Sequence, residues 1–203
     1  MTMDQPLTLA AVPMPLRWLR EPLRWHSDDG TSLTIVAGGR TDLFVDPGGG
    51  SEALNAPCLL GLPGGDFQLS ARVTVELGAT YDAGVLLLHA HDRAWAKLCL
   101  ELSPQGRAMV VSVVTRGVSD DCNSMVVDGP QVWLRVARMG AAFAFHASTD
   151  GAFWQLVRYF ALEEAERTAV GFLAQSPTGE GCSATFDRIR YTPRGLDDLR
   201  DGR

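Results

Sequence analysis

Cysteine is scarce and scattered: the chain has four in 203 residues. Cys58, Cys99, Cys122 and Cys182 show no CxxC spacing, and three lie within or beside strand-like runs. That pattern excludes a disulfide framework and a zinc ribbon, and free thiols are expected. Basic clusters are missing too. With a formal net charge of -6 and a pI of about 5.2, and no Lys/Arg stripe, the chain lacks the footprint that phosphate backbones require, so nucleic acid is excluded as a partner. No apolar run reaches the length of a membrane span, and the opening MTMDQPLTLAAVPMPLRWLREP has neither the basic start nor the unbroken apolar centre of a secretory signal. A soluble, cytoplasmic protein without a membrane partner is expected. No repeat of fixed period occurs, which argues against a propeller or solenoid. Helical periodicity is nearly absent, LEEAERT (162–168) being the one helix-like stretch. The glycine-rich DPGGGSE (46–52) neither follows a long buried strand nor opens a helix, so it is no phosphate loop.

What is present is strand pattern. Residues 81–101, YDAGVLLLHAHDRAWAKLCLE, read as a hairpin of two apolar arms around a polar tip. On its second arm Trp95, Lys97, Cys99 and Glu101 fall on one face and Ala96, Leu98 and Leu100 on the other, because successive strand side chains point oppositely. The same alternation recurs from Phe67 to Glu76, from Met109 to Val114, from Gln131 to Val136, from Val170 to Gln175 and over 182–191. Asp150-Gly151 supplies a hairpin turn before Trp154. Ten or more short strands at regular spacing, divided by Gly, Pro and Asp turns, predict an all-β fold: a two-sheet jelly-roll β-sandwich. At 46% hydrophobic and 21% charged, the length suits one domain. The expected organisation is an N-terminal arm (1–16), the sandwich (17–193) and a frayed, charged C-terminal tail (194–203).

A set of phrases in order carries a resemblance: Thr41-Asp42-Leu43-Phe44, Asn55-Ala56-Pro57, Asp66-Phe67, Tyr81-Asp82-Ala83-Gly84, Trp95-Ala96-Lys97 with Glu101, Ser112-Val113-Val114-Thr115 with Ser119-Asp120, Trp133-Leu134-Arg135, Ser148-Thr149-Asp150-Gly151 with Trp154, and Gln175-Ser176-Pro177. Together they resemble the domain-of-unknown-function family labelled regulation of enolase protein, within the concanavalin A-like lectin/glucanase superfamily. The resemblance spans roughly residues 17–191 and implies a two-sheet jelly roll with one concave sheet, while implying little about chemistry. Two departures stand out: Phe44 occupies a position where Trp is usual, and His89-Ala90-His91 forms the hairpin tip.

Trp95, Lys97, Glu101, Ser112, Trp133, Arg135 and Gln175 share the parity opposite the aliphatic residues and form the candidate ligand site. An aromatic ring stacked on a sugar's C–H face, with charged and amide groups on its hydroxyls, uses these residue types. The alternative is a solvated sheet face on which Lys97 and Glu101 pair. No catalytic residue is assigned: glycoside hydrolysis needs two carboxyls about 5–9.5 Å apart, and no strand carries acidic residues at i and i+2 around Glu101. No metal or other cofactor is expected, since His89, His91 and Asp92 would need a third ligand from His26 or His146 that no spacing predicts. The expected function is non-catalytic binding of a carbohydrate or small polyol on the concave sheet. A protein partner on the same face is the alternative, and a sugar-acting hydrolase or lyase a weaker one.

Overall fold

The computed structural model describes residues 5–203. In chain order its strands are β1 (Arg17–Arg20), β2 (Arg24–His26), β3 (Leu33–Gly38), β4 (Leu43–Val45), β5 (Glu52–Leu54), β6 (Cys58–Gly61), β7 (Phe67–Val75) and β8 (Ala83–His91). They continue as β9 (Ala94–Leu102), β10 (Ala108–Arg116), β11 (Val118–Val126), β12 (Gln131–Met139), β13 (Ala142–Ser148), β14 (Gln155–Ala161), β15 (Ala169–Gln175) and β16 (Gly181–Thr192). The helix-like stretch after β14 yields one 3-10 turn, Ala165–Arg167.

Two seven-stranded antiparallel sheets result, in the orders β1-β6-β15-β8-β9-β10-β11 and β14-β13-β12-β7-β16-β3-β2, with β4 and β5 pairing separately. The all-β sandwich expected from the alternation is therefore observed. The main core lies between the sheets: Leu86, Leu88, Leu98, Leu100, Val110 and Phe172 of the first meet Leu69, Val73, Leu134, Phe145 and Phe186 of the second. Each set is the inward-facing half of a period-two pattern.

A second apolar cluster covers the other face of the first sheet. Val85, Leu87, Trp95, Cys99, Val111, Val113 and Leu173 point away from the second sheet and are capped by Leu43, Val45 and Ala56 of the segment containing β4 and β5. Central strands β8 and β9 are consequently buried on both faces, which is why β8 reads as a continuous apolar run rather than an alternation.

Both flanks of the sandwich are packed. Leu9, Val12 and Leu16 of the N-terminal arm enter the main core, and Leu7 bridges Leu16; residues 1–4 lie outside the described residues. The tail is not frayed, contrary to expectation. Gln68 donates to the carbonyl of Gly195 (3.1 Å), His146 Nε2 lies 2.9 Å from the Leu199 carbonyl, Arg135 Nη1 donates to the carbonyl of Arg203 (2.6 Å), and the Trp154 N–H donates to Gly202 (2.9 Å). Backbone carbonyls of the tail thus satisfy buried donors of the second sheet, a role that charge content alone does not reveal. Among the described residues no helix is long and apolar enough to cross a membrane.

Candidate functional site

The site is built on β9. Lys97 faces the outer cluster, opposite Val113 of β10 and Leu87 of β8. It is the only lysine in the chain, every other residue of the Lys/Arg set being arginine. Its side chain is 2% exposed. Nζ donates to Asp42 Oδ1 (3.2 Å) and Gln175 Oε1 (3.0 Å), and sits 5.7 Å from the centroid of the Trp95 ring. Burial alone pulls the Lys97 pKa down, but the acidic groups around it, Asp42 first, outweigh it and hold the ammonium above its ordinary value.

Asp42 is fixed by its neighbours. Its N–H donates to Asn55 Oδ1 (2.9 Å), its carbonyl accepts the N–H groups of Asn55 and Ala56 (both 3.0 Å), and its Oδ1 accepts the Leu43 N–H (2.7 Å). Gln175 ends β15 and shares a cross-strand row with Ala83 of β8, Glu101 of β9 and Met109 of β10. Beside it, buried Asp82 accepts the Ser176 hydroxyl (2.6 Å) and the N–H groups of Gly78 and Ala79 (3.1 and 2.8 Å), which shapes the loop carrying Tyr81. Ser119 Oγ accepts the Val45 N–H (2.9 Å) and so ties the capping segment to β11.

These side chains enclose a cavity of about 320 Å³. Phe44, Tyr81 and Pro177 form its apolar walls, and Lys97, Gln175, Asp42, Glu101 and Asp121 its polar lining. Glu101 is half-buried, and its carboxyl makes no hydrogen bond or ion pair among the described residues. Burial drives its pKa from an ordinary 4.5 up to about 8; Lys97 opposes the shift, and Asp121 and Asp42 add to it. Asp121 is raised as well, again by burial first, with Lys97 opposing. Deep burial lifts the Cys99 thiol well above its usual range, so it is no nucleophile at neutral pH.

The structure brings together three of the seven residues expected to form one site: Lys97, Glu101 and Gln175. Trp95 lies on the expected face but is completely buried beneath the capping segment, so it supports the site from below and offers no stacking surface. Ser112 is a correction. It pairs with Leu98, so it points between the sheets, fully buried, and its hydroxyl has no partner. Val111 and Val113 take the outward face instead. Replacing Ser112 by Ala is expected to leave stability unchanged or raise it by up to about 1 kcal/mol, because an unsatisfied buried hydroxyl costs free energy. A urea midpoint that falls would contradict this placement.

Trp133 and Arg135 are the second correction. They lie on β12, in the other sheet, on its outer face. Arg135 stacks over Trp154 (4.5 Å), burial lowers its pKa to about 10, and Gly151, with φ of +73°, lies against the Trp133 ring. The two belong to a separate small hollow. Sheet membership depends on the strand's partners, which one-strand parity does not encode.

Asp42, Phe44, Tyr81 and Asp121 were missed as site residues, although the first three stand in the phrases that carry the resemblance. The signals were the solitary lysine and the doubly apolar run in β8, which together announce a covered face with one buried charge. The hairpin-tip histidines do not assemble a centre: His89 Nε2 lies 3.7 Å from Asp92, His26 pairs with Asp28, and His146 is in the other sheet. No group of three or more His, Cys, Asp or Glu among the described residues is placed to hold a metal ion.

The fold and the cavity define a two-sheet antiparallel β-sandwich with a pocket on the covered face of one sheet, apolar in its walls and polar at its floor. Residues 18–194 match DUF1349, a family of proteins of unknown function, and the chain belongs to that family. Enolase is not mentioned in the family's description. A functionally unknown protein from Saccharomyces cerevisiae has a similar structure, with a TM-score of 0.81 and 26% identity over 87% of this chain and 95% of that one. The GH43 protein BlXynB from Bacillus licheniformis (TM-score 0.72, 16% identity) and a xylan beta-1,4-xylosidase from Bacillus halodurans C-125 (TM-score 0.68, 14% identity) share the fold. This chain spans 38% of each, 94% and 93% of its own length being covered. Comparison with curated proteins gives no match.

Proposed function

We propose that the cavity over β9 binds a small polyol or carbohydrate without transforming it. One observation carries this reading: aromatic walls, Phe44 and Tyr81, stand over a polar floor that a buried Lys97–Asp42–Gln175 arrangement holds rigid. Rings suit the C–H face of a sugar, and the fixed ammonium, amide and carboxyls suit its hydroxyls. The volume falls at the lower end of small-ligand sites. A protein partner on the same sheet face is disfavoured because β4, β5 and the residues around them already cover much of it, leaving a hollow rather than a flat patch.

Calorimetric titration with a panel of mono- and oligosaccharides should give a dissociation constant of about 0.1–1 mM, or about 4–5.5 kcal/mol. Phe44→Ala and Tyr81→Ala should each weaken it while the protein stays folded. Absence of heat with every sugar would defeat the reading.

A second reading draws on Glu101. A carboxyl with a pKa of about 8 is protonated at neutral pH, as a general acid must be, and Asp121 and Asp42 supply carboxyls in the same cavity. On this reading the protein cleaves a glycosidic bond, and Glu101→Gln would abolish release of reducing ends while retaining affinity.

A further inference from the structure

We propose that the ligand of this cavity is a hydroxylated organic cation, an amino sugar or comparable polyol amine, with its ammonium seated between Glu101 and Asp121. The proposal rests on the reading of the cavity as a polyol site and narrows it to one chemical class.

Three carboxyl groups, Asp42, Glu101 and Asp121, line the cavity against a single cation, Lys97. Lys97 is already engaged: Nζ is bound to Asp42 at 3.2 Å and to Gln175 at 3.0 Å, and the side chain has almost no exposure left. That ion pair cancels one carboxylate. Glu101 has no hydrogen-bond or ion-pair partner among the described residues, and Asp121 has the Cys122 backbone N–H. Arg158, on β14 of the other sheet, is bound to the adjacent Asp120 at 2.9 Å and reaches Asp121 only through its charge. Half-buried Glu101 and exposed Asp121 therefore line the hollow without a salt-bridge partner among the described residues. A carboxyl withdrawn from water, as that of Glu101 is, normally acquires a partner or remains protonated, and here the partner can come from the ligand, with Asp121 at the exposed side of the hollow.

Shape narrows the cation. A calcium or magnesium ion needs several oxygens converging on one point, and no three acidic, histidine or cysteine side chains do so among the described residues. Glu101 on β9 and Asp121 on β11 are separated by β10, so they flank a volume. The Phe44 and Tyr81 rings favour an ammonium and its adjoining C–H groups through their negative faces. An organic ammonium on a hydroxylated frame meets all these demands, and a neutral sugar leaves the two carboxyls unanswered.

Glu101 holds a proton that such a ligand would displace. Glu101 faces Lys97 and Cys99 on its own strand, Asp121 from β11 and Asp42 from the β3–β4 connection. Tyr81 approaches from the loop before β8, and its cross-strand neighbours Met109 and Ala83 are uncharged. Burial and the neighbouring carboxyls keep Glu101 protonated near neutrality, with a pKa of about 8. An arriving ammonium favours the carboxylate, so binding should release a proton to the solution.

Glucosamine, glucose and N-acetylglucosamine should be titrated calorimetrically at about pH 6.5, below the ordinary range of amines, in two buffers of different ionisation enthalpy. Glucosamine should bind at least about tenfold more tightly than the two neutral sugars, with a buffer-dependent heat that reports proton release. In Glu101→Gln the release should vanish and the glucosamine-to-glucose preference should fall about tenfold. Asp121→Asn, on the more exposed β11, should lower the same preference and serves if the first variant does not fold. Equal binding of glucose and glucosamine would overturn the cationic ligand and leave the polyol reading standing. No binding of any of the three would overturn both. A glucosamine preference unchanged in the two variants would place the ammonium elsewhere and overturn the assignment.

Discussion

Lys97→Ala is expected to destabilise the protein by about 3–5 kcal/mol, the cost of breaking a buried ion pair by removing one partner. Its neighbour Leu98, in the main core, should cost about 2–5 kcal/mol when truncated to Ala. The comparison is pointed because adjacent strand residues face opposite sides, and on an ordinary sandwich one side is solvated. There, losing an exposed lysine would cost less than about 1 kcal/mol. Here both sides are covered, and removal of the ammonium leaves the Gln175 amide oxygen buried and Asp42 without its cation. Equilibrium urea unfolding of the two variants tests this. Lys97→Met separates the contributions, since it keeps most of the aliphatic stem and should recover the packing part alone. A Lys97→Ala variant with a wild-type midpoint would mean that the capping segment does not close over β9 in solution.

Stability should fall by about 3 kcal/mol between pH 5.5 and pH 9 on account of Glu101 alone. The folded-state pKa of about 8 lies above the ordinary 4.5, so the fold binds this proton more tightly than the unfolded chain does. The resulting stabilisation is complete below the unfolded pKa and is lost as pH rises through the folded one. Glu101→Gln cannot ionise, and its stability should decline far less over the same interval. The histidines act in the opposite direction. Burial lowers His146 to about 4 and also lowers His89, so their contribution disappears as pH drops below the ordinary histidine range, and both proteins should share that acid limb. The difference between the two stability curves isolates Glu101. Parallel curves on the basic side would show that its carboxyl is solvated and ionised.

The candidate site was legible in part. Lys97, Glu101 and Gln175 could be selected because they are polar residues at outward positions of strands that otherwise carry aliphatics. Ser112 could not be placed this way: β10 is apolar on both faces, so its alternation does not say which face meets the other sheet, and only the pairing of Ser112 with Leu98 decides. Asp42 and Tyr81 sit outside the long strands, where no periodicity operates. Their positions follow from side-chain to backbone hydrogen bonds that fold the capping segment and the Asp82 loop over the sheet.

The all-β class, the positions of most long strands and their inward aliphatic half were determined by the chain itself, because side-chain direction in a strand is a local property with a period of two; the polar β11 and the short β6, which carry no such alternation, were not. Tertiary structure alone decided which strands share a sheet, and so separated Trp133 and Arg135 from Lys97 and Glu101 despite their common parity. It also decided that residues around β4 and β5 cover the outer face, turning Trp95 from a stacking surface into core and Lys97 from a solvated charge into a buried one. Long-range antiparallel pairing and the closure of a covering segment depend on contacts between residues far apart in the chain. Local alternation carries no record of those contacts.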